Sequence, residues 1–382
     1  MIKINDKTKC CGCYACYSIC PRNAITMNED EKGFRYPKIN KEKCIECGLC
    51  TKVCPNLNNK KIENKPVAYS CINKNEKIRK QSSSGGIFTL ISEEILKKNG
   101  IVFGATFDNK YNVVHEYIEK KDDLKKLRGS KYVQSIIDNT YKKAKEFLDN
   151  DRYVLFTGTP CQIEGLKRYL QKDYDKLYTQ DIICHGVPSP KVWRKYLEYR
   201  KSKDLKDPIH INFRQKDNGW HLYSMLISYN DYEYKINHTE DLFMKAFLRN
   251  TSLRDSCYSC NFKKKNRISD ITLGDFWGIE NVLPKMNDDK GTSLVVVNSN
   301  KGKELFELIK NDIDFKKINL EDALQYNKSM IESVEMDKNR ENFFKNLDKM
   351  QFNSLVKKYT YNRGIIRRIF SKIKRILKKL IR

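Results

Sequence analysis

Two cysteine runs, Cys10-x2-Cys13-x2-Cys16-x3-Cys20-Pro21 and Cys44-x2-Cys47-x2-Cys50-x3-Cys54-Pro55, take up eight of the chain's fourteen cysteines. Thiolates are the soft ligands that iron–sulfur cubanes prefer, and the x2 spacings let one loop reach three corners of a cluster. In this pattern the fourth cysteine of each run serves the other cluster. The runs therefore predict two 4Fe-4S clusters, one on Cys10, Cys13, Cys16 and Cys54, the other on Cys44, Cys47, Cys50 and Cys20. A disulfide framework or a pair of zinc sites would use the same residue type. Neither accounts for two full runs, each closed by proline.

Four further cysteines, Cys161, Cys184, Cys257 and Cys260, lie far from the runs. Cys161 follows Thr159-Pro160, an N-cap and a first-turn proline, so its sulfur sits at the positive end of a helix, where a thiolate is favoured. Cys184 ends the next strand of the alternation. If the two strands are parallel neighbours, both sulfurs reach the carboxyl edge of the sheet, where open α/β folds carry their sites. Cys257-x2-Cys260 adds two ligands on one loop. Four thiolates suit a third 4Fe-4S cluster or a zinc; buried structural cysteines, or a nucleophilic Cys161 beside His185, are the plainer alternatives. Cys11 and Cys71 read as structural.

A second chemical element is the loop Ser82, Ser83, Ser84, Gly85 and Gly86, which precedes a helical pattern. Glycines admit a phosphate close to the backbone, serines add hydroxyl donors, and the helix offers free N–H groups. A flavin is the sensible ligand, because clusters move one electron while a hydride acceptor needs two. A serine-rich turn that merely caps a helix has the same appearance. His185, His221 and Asp275 are the residues available as general acids, and an ordinary structural role suits each.

The elements that must position these groups follow from the patterning. The N-terminal block is a duplicated unit of about 35 residues, each a cysteine run followed by proline and a short helix or turn, with Ile25 to Met27 and Phe34 to Ile39 pairing around Gly33. Residues 1–57 form a dicluster ferredoxin-type domain, and the polar stretch 58–66 reads as a linker that Pro66 ends. From Val67 strands alternate with amphipathic helices: a helix from Ile87 stopping at Gly100, strands at Ile101 to Phe107 and Tyr153 to Thr157, a helix through Leu170, a strand from Leu177 to Ile183 and a helix through Arg200. This predicts an α/β domain over 67–345 with a largely parallel core sheet. A β-rich insert follows, with strands at Ile211 to Arg214, Trp220 to Tyr229 and Tyr232 to Ile236. The fold class is thus α+β and α/β, closed by a basic tail over 346–382.

The chain has 382 residues and a formal net charge of +26. Such an excess often signals nucleic acid, but the charge is spread along the chain and no nucleic-acid motif accompanies it, so no nucleic-acid partner is expected. Its densest part runs from Arg363 to Arg382, with nine Lys or Arg and no acid. Ile365, Ile366, Ile369, Phe370, Ile373, Ile376, Leu377, Leu380 and Ile381 recur there at spacings of three and four. This basic amphipathic helix suits an anionic membrane surface, or docking of its apolar stripe on the α/β domain or a partner subunit. Met1 to Lys9 is short and polar, and no apolar stretch approaches the roughly 18 residues that span a bilayer. The expected location is cytoplasmic, with peripheral contact at the inner face of the membrane.

Six motifs in order carry a resemblance. They are Gln81-Ser82-Ser83-Ser84-Gly85-Gly86, Gly129-Ser130-Lys131-Tyr132-Val133-Gln134-Ser135, Gly158-Thr159-Pro160-Cys161-Gln162, Cys184-His185-Gly186-Val187-Pro188-Ser189, Cys257-Tyr258-x-Cys260 and Asp270 to Gly278. Over about residues 1–300 the chain resembles the coenzyme F420 hydrogenase/dehydrogenase beta subunit family, in the form fused to an N-terminal dicluster ferredoxin. The resemblance implies an oxidoreductase: a flavoprotein module, with FAD, that passes electrons between clusters and a two-electron carrier or substrate. Ferredoxin or another redox protein would be the partner. It also implies the third 4Fe-4S cluster on Cys161, Cys184, Cys257 and Cys260. Flavin contacts would come from Ser82 to Gly86 together with Lys131, Tyr132, Gln134 and Ser135. Relatives of the fused form resemble bacterial proteins found with surface polysaccharide biosynthesis genes. F420, NAD(P), a quinone and a sugar intermediate are equally compatible acceptors. An electron-transfer adaptor that serves a partner enzyme is the alternative function.

Overall fold

Residues 1–58 and 61–360 are described by a computed structural model. The strands are β1 (Ile25–Glu29), β2 (Arg35–Ile39), β3 (Val67–Asn73), β4 (Ile101–Phe107), β5 (Val113–Ile118), β6 (Val154–Gly158) and β7 (Leu177–Ile182), then β8 (His210–Gln215), β9 (Ser224–Ser228), β10 (Glu233–Asn237), β11 (Ile271–Asp275), β12 (Ser293–Val297) and β13 (Ile313–Ile318). Among the described residues an eight-stranded mixed sheet runs in the order β13-β3-β12-β11-β7-β6-β4-β5. Its centre is parallel: β4 pairs with β6, β6 with β7 and β7 with β11. Antiparallel strands flank that centre, with β5 beside β4 on one side and β12, β3 and β13 on the other.

The strand alternation decides which residue faces which layer. Ile101 and Phe103 of β4 pack with Tyr141, Ile163 and Leu166 on one face of the sheet. Val102 points to the opposite face, beside Ile91, Ile95 and Leu305. The helices Thr140–Asp149 and Pro160–Leu170 cover the first face, and Ile87–Lys97 with Asn300–Ile309 cover the second. Covering both faces is what lets the parallel strands be near-continuously apolar.

The N-terminal domain is ferredoxin-like. β1 and β2 pair antiparallel, and short helices at Ala15–Ile19 and Leu49–Lys52 lie inside the cysteine runs, ahead of each proline rather than after it. Each helical turn carries the third cysteine of its run, Cys16 or Cys50, so the helix is part of the thiol cage. This domain shares a core with the rest of the chain. Tyr14 and Met27 join the helix-covered face of the sheet, and Phe34 and Tyr36 pack among Trp193, Phe213 and Phe343. Full burial of a side chain such as Phe34 contributes about 2–3 kcal/mol, so the docking is a substantial part of the fold.

The insert forms a separate antiparallel sheet, β10-β9-β8. Its middle strand begins at Ser224, later than the expected Trp220, because Trp220 is drawn away to the large sheet: its backbone N–H donates to Asp289 O at 2.7 Å and its indole to Asp275 Oδ1 at 2.7 Å. In the stretch 58–66, Asn64 Nδ2 donates to Arg267 O and Asn298 O. Within 346–360 the helix Phe352–Thr360 buries Phe352, Leu355 and Val356 in the same core as Trp193. The cationic apolar repeat from Ile365 to Ile381 lies outside the described residues. Among those described, no helix is long and apolar enough to cross a membrane.

Candidate iron–sulfur and redox site

The thiols gather around three cavities. Cys10, Cys13, Cys16 and Cys54 line one of about 320 Å³. Cys20 lies apart from its own run and joins Cys44, Cys47 and Cys50 around a second of about 380 Å³. Backbone donors already point at two of these sulfurs: Ile2 N–H to Cys50 Sγ at 3.3 Å and Ala24 N–H to Cys20 Sγ at 3.2 Å. Burial raises the thiols of Cys10 and Cys16, and that of Cys54 to about 11, so each becomes a good thiolate only with a cation to hold.

A third cavity, of about 550 Å³, is lined by Cys161, Cys184, Cys257 and Cys260. β6 and β7 are parallel neighbours, so the residues that follow them, including Cys161 and Cys184, emerge at one carboxyl edge. Thr159 caps the helix Pro160–Leu170 in a capping box with Gln162. Cys11, with Thr159 Oγ1 3.1 Å from the sulfur, holds the Cys161 thiol below its ordinary range against the effect of burial. Burial pushes Cys184 up to about 12, while Lys263 works against it; Lys263 Nζ donates to Cys184 O at 2.7 Å. No group of three or more His, Cys, Asp or Glu among the described residues is arranged to hold a single metal ion.

Cys11 is buried and lines both the Cys10 cavity and the Cys161 cavity. Cys71, by contrast, is fully buried in β3 among apolar side chains.

The serine loop reaches the same edge of the sheet. β3 is antiparallel to β12, which is antiparallel to β11, so β3 runs with the parallel strands and its carboxyl end leads to Ser82–Gly86. Ser83 Oγ accepts from Ser130 N–H at 2.8 Å, which joins two of the flavin-candidate segments. Arg214 binds them further, donating to Ser83 O at 3.2 Å and to Tyr132 Oη at 3.3 Å. Its charge is met by Asp275, 3.1 Å away, and Trp220 stacks on Trp277 with ring centroids 4.8 Å apart. Arg214 and Trp220 carry no motif of their own in the sequence. Asp275 and Trp277 stand in the segment Asp270 to Gly278, which is the signal that could have led to them.

Other candidates are engaged elsewhere. Ser82 Oγ donates to Ile78 O, and Ser84 Oγ to Thr292 O. A Cβ at Gly85 would lie 2.5 Å from Cys71 O, so this glycine answers the closeness of β3, and Gly86, at φ +84°, starts the following helix. Lys131 spends its ammonium on Leu127 O, Arg128 O and Gly129 O, and burial lowers it to about 7. Gln134 and Ser135 face the cysteine sites, where Gln134 donates to Cys11 O at 3.1 Å and Ser135 accepts from Gln162. Burial lowers His185, whose Nε2 pairs with Asn250 Oδ1 at 2.7 Å, whereas His221 lies against Trp220.

Residues 9–57 match the family described as 4Fe-4S dicluster domain. Residues 68–139 match the N-terminal part, and 151–323 the C-terminal part, of the coenzyme F420 hydrogenase/dehydrogenase beta subunit. The chain belongs to that beta-subunit family. It is the form fused to a 4Fe-4S dicluster domain, and is therefore an iron–sulfur electron-transfer protein of oxidoreductase type. A chain in the xenon-derivatised F420-reducing [NiFe] hydrogenase complex from Methanosarcina barkeri is similar at 17% identity, over 74% of this chain and 93% of that chain, with a TM-score of 0.49.

Proposed function

We propose that this chain is an iron–sulfur flavoprotein oxidoreductase that takes electrons from a low-potential donor such as ferredoxin and delivers them to a two-electron acceptor, in surface polysaccharide metabolism as the resemblance implies. The observation that carries the proposal is the grouping of twelve cysteines around three cavities, the first and third of which share Cys11.

The ligand sets follow from that grouping: Cys10, Cys13, Cys16 and Cys54; Cys20, Cys44, Cys47 and Cys50; and Cys161, Cys184, Cys257 and Cys260. Clusters held there supply one-electron transfer, and FAD couples it to two-electron chemistry. The chain's own residues bind and orient. Backbone N–H groups support the sulfurs of Cys20 and Cys50, and Lys263 supplies a positive charge beside Cys184. The flavin reading is supported by the juncture of Ser83, Ser130 and Tyr132, tied by Arg214.

One observation favours the adaptor reading, in which a partner enzyme performs the two-electron chemistry. Lys131 and Lys216 each give their ammonium to three backbone carbonyls, which leaves neither directed at a cofactor phosphate. Flavin released from anaerobically purified protein separates the two readings. One FAD per chain supports the oxidoreductase; iron-loaded protein without flavin supports the adaptor.

A further inference from the structure

Arg254 is a fully buried cation whose hydrogen-bond acceptors include no carboxylate. Its Nε donates to Cys10 O at 2.8 Å, one Nη to Gln134 Oε1 at 3.0 Å, and the other Nη to Arg35 O at 3.0 Å and toward Cys10 Sγ at 3.6 Å. The guanidinium lies over the ring of Tyr36, 4.2 Å from its centroid. The adjacent acid, Asp255, is turned to Arg340 at 2.9 Å and Lys32 at 3.7 Å. A guanidinium does not deprotonate in a protein, and burying it without a counter-ion is costly. The thiol set it reaches, through Cys10, becomes an anion with iron bound.

The surroundings are built for this approach. Gly12, at φ +68°, follows Cys11, and a Cβ there would come within 2.9 Å of Gln134 Nε2 and 3.0 Å of the Arg254 guanidinium. Arg254 itself precedes the short helix Asp255–Ser259 that carries Cys257, and its N–H donates to Val187 O at 3.0 Å. One residue of the α/β domain thus reaches into the first cysteine run while its own segment supplies a thiol to the third cavity. Among the described residues the Cys44 cavity has no counterpart. Its sulfurs receive backbone donors, and the arginine on its rim, Arg22, is exposed.

We propose that Arg254 is a positioning residue that sets the reduction potential of the cluster held by Cys10, Cys13, Cys16 and Cys54. The inference rests on the ligand assignment above. When that cluster takes one electron from its reductant, no bond to iron breaks and its negative charge increases. A fixed positive charge and an N–H donor at a ligand sulfur therefore favour the reduced form and raise the potential. The tuning comes from the α/β domain, so the ferredoxin-like domain has this potential only when docked.

The test is an anaerobic redox titration of the full chain followed by electron paramagnetic resonance, with the step belonging to this cluster identified as the one lost in Cys13→Ala. In Arg254→Gln, iron and sulfide stay at wild-type levels. The identified step becomes about tenfold harder to drive, about 59 mV lower for one electron, while the Cys44 step holds its position. Arg254→Lys, which keeps the charge, recovers most of the shift. Should Arg254→Gln fail to load iron, Gln134→Glu, which sets a carboxylate on the guanidinium, lowers the same step. An unmoved step in the loaded variant, or equal shifts in both steps, overturns the proposal. Wild-type protein that binds no iron would overturn the ligand assignment instead.

Discussion

Gly165 lies directly against Cys13: a Cβ built on Gly165 would be 2.9 Å from Cys13 Cβ and 3.1 Å from its Sγ. The helix Pro160–Leu170 therefore performs two tasks. Its first turn presents Cys161, and one turn later its missing side chain seats the first cysteine run. Gly165→Val should push that run off the helix, costing about 1–3 kcal/mol from overpacking and lowering the iron content by about four atoms per chain. Iron analysis with a thermal melt checks this, and Gly165→Ala should show the smaller effect of the two.

Buried Arg214 pairs with half-buried Asp275 and also holds Ser83 and Tyr132. Removing the carboxylate leaves the guanidinium uncompensated. Asp275→Asn should cost about 3 kcal/mol. On the flavin reading it should also release bound FAD, seen as a rise in free flavin fluorescence on gel filtration. Unchanged stability would mean that the pair is not needed in the fold.

His115 is buried with Nε2 paired to Thr157 O at 2.9 Å, and its other ring nitrogen is unpartnered. Burial lowers it from 6.5 to about 4. The unfolded chain therefore binds a proton over this window that the folded chain refuses, so stability is present above pH 6.5 and lost as pH falls toward 4. The loss is at most roughly 3 kcal/mol. Anaerobic denaturant melts at pH 7.5 and 5 should show it, and His115→Gln should flatten the difference.

The apolar and cationic repeat from Ile365 to Ile381 carries the membrane proposal on its sequence pattern alone. Full-length protein should co-sediment with anionic liposomes, and a chain ending at residue 362 should not. Equal sedimentation of both would remove the membrane from the account.

The parallel centre of the sheet was legible because Ile101 to Phe107, Tyr153 to Thr157 and Leu177 to Ile183 are short apolar runs between amphipathic helices. The antiparallel strands β12, β3 and β13 were not. β3 pairs with residues from the far end of the chain, and no local period encodes that. At the site, cysteine type and spacing carried the readings that could be made from sequence. Arg254 was invisible because its contacts arise only when the ferredoxin-like domain docks on the sheet, and it stands 244 residues from its partner Cys10. The serine loop was visible as a turn. Its ties to Arg214 and Ser130 depended on segments folded next to it.

Iron content of the full chain and of Cys184→Ala, both purified anaerobically, bears most directly on the three-site account. Wild type should hold about 12 iron atoms, four for each of three thiolate-held clusters, and the variant about 8. A wild-type chain with about 8 iron atoms, unchanged by Cys184→Ala, would contradict it.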